Sequence, residues 1–448
     1  MPTTSGAYRL LIRLGVALAP AAEALSPRLK AAGRARREAG DRLLEWARWQ
    51  RDDARPTVWF HAASVGEGLQ AESVLIHLRR LRPECQIVYT HFSPSAEELA
   101  RSIGADAADY LPFDLPVNAD RLLHALEPDL LVFAKLDVWP ELSTRAATTG
   151  TAVAIVAATV SPGSGRLRWP ARTLLQPGYR AIGAAGAISL DDATRLERLG
   201  VESGHIRVLG DPRFDSVVEK ISAVPSDEPL LRFGRGAPTL VAGSTWPADE
   251  RVVLAAFAQV RRTYPDARLI LVPHEPTPEH LAEVERRAAA AGLPQPVRLS
   301  TAAAPVALLL VDCLGVLARL YGAGTLAYVG GGFGRAGLHS VLEPAAWQLP
   351  VLFGPRWQNS RDAGLLLTAG GAVALPPGST AAAALQRQWE RWIKGSTVRE
   401  AAGQRAREVV EEGLGASERS AAMLAELISG SHPRRSRLEG RAAPLSER

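Results

Sequence analysis

Past residue 56, short continuous apolar runs alternate with stretches of helical period. Runs at 57–63, 86–90, 130–134, 152–158, 182–189 and 206–209 predict strands, and 69–81, 94–102, 117–126 and 191–199 predict helices between them. The runs are continuous rather than alternating, which suits a parallel sheet covered on both faces. The stretch SAVPSDEPLLRFGRGAP (222–238) is rich in Pro, Gly and charge, lacks a sustained apolar period and reads as a linker. The pattern then restarts, with strands expected at 239–243, 268–272, 306–311, 325–330, 350–353 and 372–375 and a long helical stretch closing at 397–429. Two doubly wound α/β domains in series follow, one at 57–225 and one at 239–429, joined by a linker at 226–238. Ligands of such folds sit beyond the carboxyl ends of the strands, in the cleft between halves.

The two ends read differently. Within 1–56, Leu10, Leu14, Leu18 and Leu25, with Ala17 and Ala21, form one apolar stripe at helical spacing. Arg9, Arg13, Pro20 and Glu23 interrupt the run, so the segment is expected to lie in a membrane interface rather than to span it. A secretory signal is the rival reading, but the charged segment that follows offers no clear cleavage site. Between Arg28 and Arg55 stand nine basic and five acidic residues, a composition suited to anionic headgroups. The basic tail, 430–448, is expected to be disordered.

Composition narrows the picture a little. The 448 residues are 47% hydrophobic and 22% charged, which excludes a disordered chain or a coiled coil. Of the 52 basic residues only four are lysine, so the net charge of +5 reflects coding bias and does not argue for a nucleic-acid partner. Cys85 and Cys313 match no metal-ligand spacing, which argues against a disulfide framework or a structural zinc.

The chemistry is to be sought in the loops after strands. In WFHAASVGEG (59–68), Gly66 and Gly68 flank Glu67 where a strand turns into a helix. Glycine there lets a ligand approach the backbone. Glu67 therefore either complements the helix dipole or faces the cleft as a reactive carboxylate. FAKLDVWPEL (133–142) sets Lys135 and Asp137 beside Trp139-Pro140, as a salt-bridged turn or as polar groups opposite Glu67. VAGSTWPADE (241–250) places Gly243, Ser244 and Thr245 before a helix, where hydroxyls cap it or hold a phosphate oxygen. LVPHEP (271–276) sets His274 and Glu275 after the next strand. The densest signal is AYVGGGFGRAGLHSVLEPAAWQLPVLFGP (327–355). His339 and Glu343 stand four apart there and are expected on one helical face. Glu343 suits the two hydroxyls of a ribose, and the glycine-rich turn suits a phosphate. It is neither a Walker loop nor a G-x-G-x-x-G turn in the usual place, and no H-E-x-x-H, nucleophile elbow or kinase set occurs. A nucleotide-like site in the second domain, faced by an acidic loop of the first, describes a GT-B glycosyltransferase or an epimerase on the same plan.

In order and spacing, HAASVGEG, DVWPEL, AGSTWPADE, LVPHEP and GGGFGRAGLHSVLEPAAWQLPVLFGP resemble the motifs of the 3-deoxy-D-manno-octulosonic acid (Kdo) transferases. DCLGVLARLYGAGTLAYVGG and VLGDPRFDSV match further blocks, and the likeness runs from about residue 8 to about 425. The resemblance implies a GT-B fold: two Rossmann-like doubly wound domains facing a central cleft, with an N-terminal amphipathic helix. It implies inverting transfer of Kdo from CMP-Kdo to the lipid A precursor lipid IVA, at the cytoplasmic face of the cell inner membrane, without a cofactor. CMP leaves as a monophosphate, so no metal is expected. By the same resemblance Glu67 is the general base. The donor site falls on Ser244, Pro273, His274, Leu314, Gly315, Val316, Ser340, Val341, Leu342 and Glu343. Ser64, Gly66, Lys135, Asp137 and His339 fall on the acceptor side or in support. Three departures stand out: His274 where the family commonly has Arg, Ser340 for Asn, and Lys135-Leu136-Asp137 for Glu-x-Glu. Arg335 and Arg356 are candidates to balance the phosphate instead, and the changes suggest a divergent branch more than a dead enzyme. Two alternatives stand beside this reading. One is another GT-B enzyme, a UDP-sugar transferase or 2-epimerase; the other is a lipid-binding paralogue with altered catalysis, against which the intact Glu67 argues.

Overall fold

The computed structural model describes residues 3–24, 26–334 and 337–430, so the expected tail from residue 431 onward and Leu25 lie outside the described residues. The chain forms two compact units, Met1–Ser216 with the stretch from Leu414 onward, and Val217–Gly413.

The first unit is built on seven parallel strands: β1 (Thr57–His61), β2 (Gln86–His91), β3 (Ala107–Tyr110), β4 (Leu130–Ala134), β5 (Ala152–Ala158), β6 (Ala184–Ala187) and β7 (Ile206–Val208). Their order is β3-β2-β1-β4-β5-β6-β7. Strand alternation divides one apolar run between two cores. Trp59, Leu131, Phe133 and Ile155 enter one face, with Leu123 and Leu142 of the covering helices. Val58, Phe60, Val132 and Val156 enter the other, with Val74 and Leu78 of the helix α3 (Val65–Leu81). Continuous apolar runs are what such two-sided burial requires.

Two helices precede the sheet, α1 (Gly6–Ala24) and α2 (Pro27–Trp49). The leucine stripe forms as a helix, and it points outward: Leu10, Leu14 and Leu18 are 59%, 52% and 66% exposed. Tyr8 and Thr4 point inward and are buried. Among the described residues no helix is long and apolar enough to cross a membrane.

The second unit repeats the plan with β8 (Thr239–Thr245), β9 (Arg268–Pro273), β10 (Val297–Arg298), β11 (Leu308–Leu310), β12 (Leu326–Val329), β13 (Val351–Phe353) and β14 (Ala372–Ala374), all parallel. Their order is β10-β11-β9-β8-β12-β13-β14.

Three expectations change. The stretch read as a linker at 226–238 is folded into the second unit. It forms a 3-10 helix, Pro229–Gly234, whose Phe233 is buried beside Val241 and Tyr321. Arg268 Nη1 donates to the carbonyls of Phe233 and Arg235 at 3.2 and 3.0 Å. The 3-10 geometry has no 3.6-residue period, so the apolar pattern is silent there. The helix expected over 397–429 is two helices, Ser396–Glu412 and Ala416–Gly430, broken where Gly415 takes φ +86°. The second of these belongs to the first unit rather than to the C-terminal domain at 239–429. Its Ala421, Met423, Leu424 and Ile428 enter the core of Val58 and Phe60, and Ser417 Oγ meets Ser73 Oγ of α3 at 2.7 Å. Asp215 fixes its start, accepting the N–H groups of Gly415 and Ser417 at 2.6 and 2.7 Å.

If the closing helix belongs to the first unit's core, Leu424→Ala destabilises that unit by about 2–5 kcal/mol, the usual range for a buried leucine. Urea unfolding followed at tryptophans of each unit reads this; a shift confined to the second unit's transition refutes it.

Candidate active site

In a doubly wound sheet the gap in the helical cover lies where strand order reverses. The first unit reverses between β1 and β4, and the second between β8 and β12. Ser64, Gly66, Glu67, Lys135, Asp137 and Ser244 stand at the carboxyl ends of these strands, whereas Pro273 and His274 stand at the end of β9 and Leu314–Val316 after β11.

After β1 the chain turns through Ser64 into α3 (Val65–Leu81). Glu67 sits in its first turn, partly exposed. Both the backbone N–H and the hydroxyl of Ser64 donate to Glu67 Oε2 at 3.1 Å. The helix-capping reading and the reactive-carboxylate reading thus meet in one side chain: Oε2 serves the cap, and Oε1 has no partner among the described residues. The two glycines differ. A Cβ on Gly68 would lie 2.4 Å from Leu99 Cδ2 and 2.7 Å from the Tyr89 hydroxyl, so a larger residue there would make those side chains shift. A Cβ on Gly66 would meet nothing within 4 Å, which leaves open space beside Glu67.

After β4, Lys135 occupies the left-handed region at φ 63°, a conformation that costs about 1–2 kcal/mol outside glycine. Its N–H is held by Val156 O at 2.9 Å. Asp137 accepts Trp139 Nε1 at 3.0 Å and Arg166 Nη2 at 3.3 Å. The buried His61, at the end of β1, brings Nε2 to 3.8 Å from Asp137 Oδ2 and sets its Nδ1 3.0 Å from Thr90 Oγ1. Burial alone would raise the Asp137 carboxyl, but His61, Trp139 and Arg166 outweigh it and hold it down at about 2. His61 and Trp139, whose rings meet edge-on at 5.5 Å, were not singled out from the sequence, although both lie inside quoted motifs.

In the second unit Ser244 is also left-handed, at φ 51°, beside an irregularity in the pairing of β8 with β9. Three consecutive glycines follow β12, and their neighbours are backbone. A Cβ on Gly330 would lie 2.2 Å from Ser244 O, and one on Gly332 would lie 2.7 Å from Gly354 N. The glycines therefore serve close packing of the loop itself. Arg356 braces that loop, its Nη1 donating to Gly334 O at 3.3 Å, while Arg335 lies outside the described residues.

His339 does not share a helical face with Glu343, because the helix Leu342–Ala346 begins three residues after it. It turns instead to Trp246 and His274. Trp246 Nε1 donates to His339 Nε2 at 3.0 Å, and the two imidazoles stack at 4.3 Å. Accepting that bond requires an unprotonated Nε2. Burial, and then the neighbouring His274, lower the His339 pKa in agreement. Asp249, also missed, is fully buried and accepts Tyr328 OH at 2.7 Å and the N–H groups of Trp246 and Gly331 at 3.0 Å. The W-P-A-D spacing at a helix start was its signal. Ser244, Pro273, His274 and His339 are thus drawn together after β8, β9 and β12. Leu314, Gly315 and Val316 follow β11, with Leu314 exposed and Gly315 at φ +81°. Exposed Ser340 precedes buried Val341 and Leu342, and Glu343 pairs with Lys220 at 3.1 Å.

The family model described as 3-deoxy-D-manno-octulosonic-acid transferase (kdotransferase) matches residues 36–216. The 3-deoxy-D-manno-octulosonic acid transferase of Haemophilus influenzae is 28% identical over 370 residues, 81% of this chain and 85% of that protein. The protein of the same name from Chlamydophila psittaci is 30% identical over 332 residues, 71% of this chain and 74% of its own length. Among solved structures, a UDP-GlcNAc 2-epimerase from Neisseria meningitidis superposes with a TM-score of 0.59 at 12% identity, covering 84% of this chain and 100% of that one, a likeness of fold. The two doubly wound units are those of a GT-B protein.

The depressed Asp137 carboxyl makes the stability of the first unit depend on pH. Its folded value lies below the ordinary 3.8, so its contribution of about 2 kcal/mol is present above pH 4 and is lost as pH falls through about 2. Asp137→Asn should flatten the stability of the first unit across that window, measured by urea unfolding at stepped pH; an unchanged acid limb contradicts the assignment.

Proposed function

The chain belongs to the 3-deoxy-D-manno-octulosonic acid (Kdo) transferase family, and is thus a glycosyltransferase; we propose that it transfers Kdo from CMP-Kdo to a lipid A precursor, with inversion, using Glu67 as general base. The observation that carries this reading is the Glu67 carboxylate at the reversal point of the first sheet. One of its oxygens is anchored by Ser64, the other is unengaged among the described residues, and the Gly66 side of the turn is open.

In this reading Glu67 takes the proton from an acceptor sugar hydroxyl as its oxygen attacks the anomeric carbon, and CMP departs from the opposite face. The anchored Oε2 orients the carboxylate, and Oε1 receives the proton. Lys135 and Asp137 bind the acceptor side. The donor is held by Ser244, Pro273, His274, Leu314, Gly315, Val316 and Ser340–Glu343. Glu343 accepts the ribose hydroxyls once Lys220 shares or releases it, and backbone N–H groups near Ser244 offset the charge that develops on the departing phosphate. His274 stands in for the arginine common in the family, with His339 stacked against it. The outward leucines of α1 rest in the headgroup layer of the inner membrane, on its cytoplasmic side, which brings a lipid acceptor to the enzyme without a spanning helix.

Purified protein incubated with CMP-Kdo and a tetra-acylated precursor should give a lipid product heavier by one or more Kdo units in mass spectrometry. Glu67→Gln should lower kcat by roughly 10²–10⁴-fold. An amide oxygen still accepts the Ser64 bonds, so folding and CMP affinity should hold. A variant that transfers at the parent rate sinks the base assignment. Separately, Leu10→Ser/Leu14→Ser/Leu18→Ser should abolish cosedimentation with anionic vesicles; retained sedimentation removes the interfacial role of α1.

A further inference from the structure

The inward face of α1 is chemically unlike its outward face. Outward stand leucines; inward stand Tyr8 and Arg9, with Thr4 just before the helix, and all three reach carboxylates buried in the first unit. Glu141, fully buried, accepts the Thr4 hydroxyl, Arg9 Nε at 3.1 Å and Arg9 Nη2 at 3.0 Å, and on its own helix Arg145 Nε at 2.9 Å. Asp114, also buried, accepts Tyr8 OH at 2.7 Å.

Asp114 has a second task. Its Oδ2 accepts the backbone N–H of Glu141 and its Oδ1 that of Leu142, both at 2.9 Å. It therefore caps the helix Pro140–Thr148 in trans, satisfying N–H groups that a helix start leaves unpaired. That helix begins at Trp139-Pro140, and Trp139 holds Asp137 through Nε1. A continuous bonded path thus runs from α1 through Asp114 and the helix start to the loop that carries Lys135 and Asp137. A helix serving only as an anchor needs its leucines; it does not need to satisfy two buried carboxylates of the body.

We propose that Tyr8 and Arg9 are positioning residues for the Lys135–Asp137 loop, so that α1 is a structural part of the acceptor side as well as a membrane contact. The functional half of this inference rests on the Kdo-transfer reading. The structural half does not.

The test compares full-length Tyr8→Phe/Arg9→Gln with the outward variant Leu10→Ser/Leu14→Ser/Leu18→Ser by hydrogen exchange and mass spectrometry of peptides spanning 136–145. Exchange in that span should quicken at least tenfold in the inward variant and stay at the parent rate in the outward one. Parent-rate exchange in the inward variant overturns the proposal, whether or not Kdo transfer is observed. With CMP-Kdo and a detergent-dispersed acceptor, the inward variant should raise KM for the acceptor at least tenfold, leave KM for CMP-Kdo unchanged, and be partly rescued by keeping Tyr8 and using Arg9→Lys. An unchanged acceptor KM also overturns it. A parent protein that transfers no Kdo sinks the functional reading alone, and exchange still decides the structural claim. Should the double variant lose cooperative unfolding, Tyr8→Phe, which removes one oxygen, is judged by the same exchange criterion.

Discussion

Right-handed crossovers between parallel strands impose the geometry on which both units depend. Successive strands can build a sheet in one direction only until the chain returns to the other side of its first strand. There the covering helices diverge to opposite faces and leave a notch at the carboxyl ends. In this chain the notch flanks β1 in one unit and β8 in the other. Glu67 and Asp137 border the first notch; Ser244 and the glycine turn border the second.

Several residues at these notches carry architectural duties beside the chemistry proposed for them. Glu67 caps α3 with one oxygen and keeps the other available. Asp249 binds three donors and so fixes Trp246, whose indole donates to His339 Nε2. Lys135 and Ser244 hold left-handed backbone that neither residue type favours, and each stands where a strand hands over to a loop. Strain placed there, and compensated by the sheet beneath, is how a rigid scaffold aims a side chain.

Much of this was legible from residue order. Twelve of the fourteen strands among the described residues followed from apolar runs. The two that did not, β3 and β10, are sheet edges: β3 carries partly exposed Asp109, and β10 is two residues long, so neither needs an apolar run. The loops at the notches were found because they follow strands. What periodicity could not supply was pairing across sequence distance. His339 was placed on a helix with Glu343, but the helix starts later and the imidazole turns to Trp246, 93 residues away. The three glycines read as a phosphate cradle, yet Gly330 and Gly332 are required by the backbones of Ser244 and Gly354. The last helix read as the end of the second domain because amphipathic period says which face is buried and not what buries it.

The return of that helix has a consequence for biosynthesis. The first unit is discontinuous in the chain, and the second is nested within it. A ribosome therefore delivers everything the inner unit needs before it delivers Leu424 and Ile428, which seal Val58 and Phe60. The earliest-made sheet must wait, with one apolar face only partly covered by α3, until the chain has been made past Ile428. During translation the uncovered part of that face is open to chaperones and to misassociation.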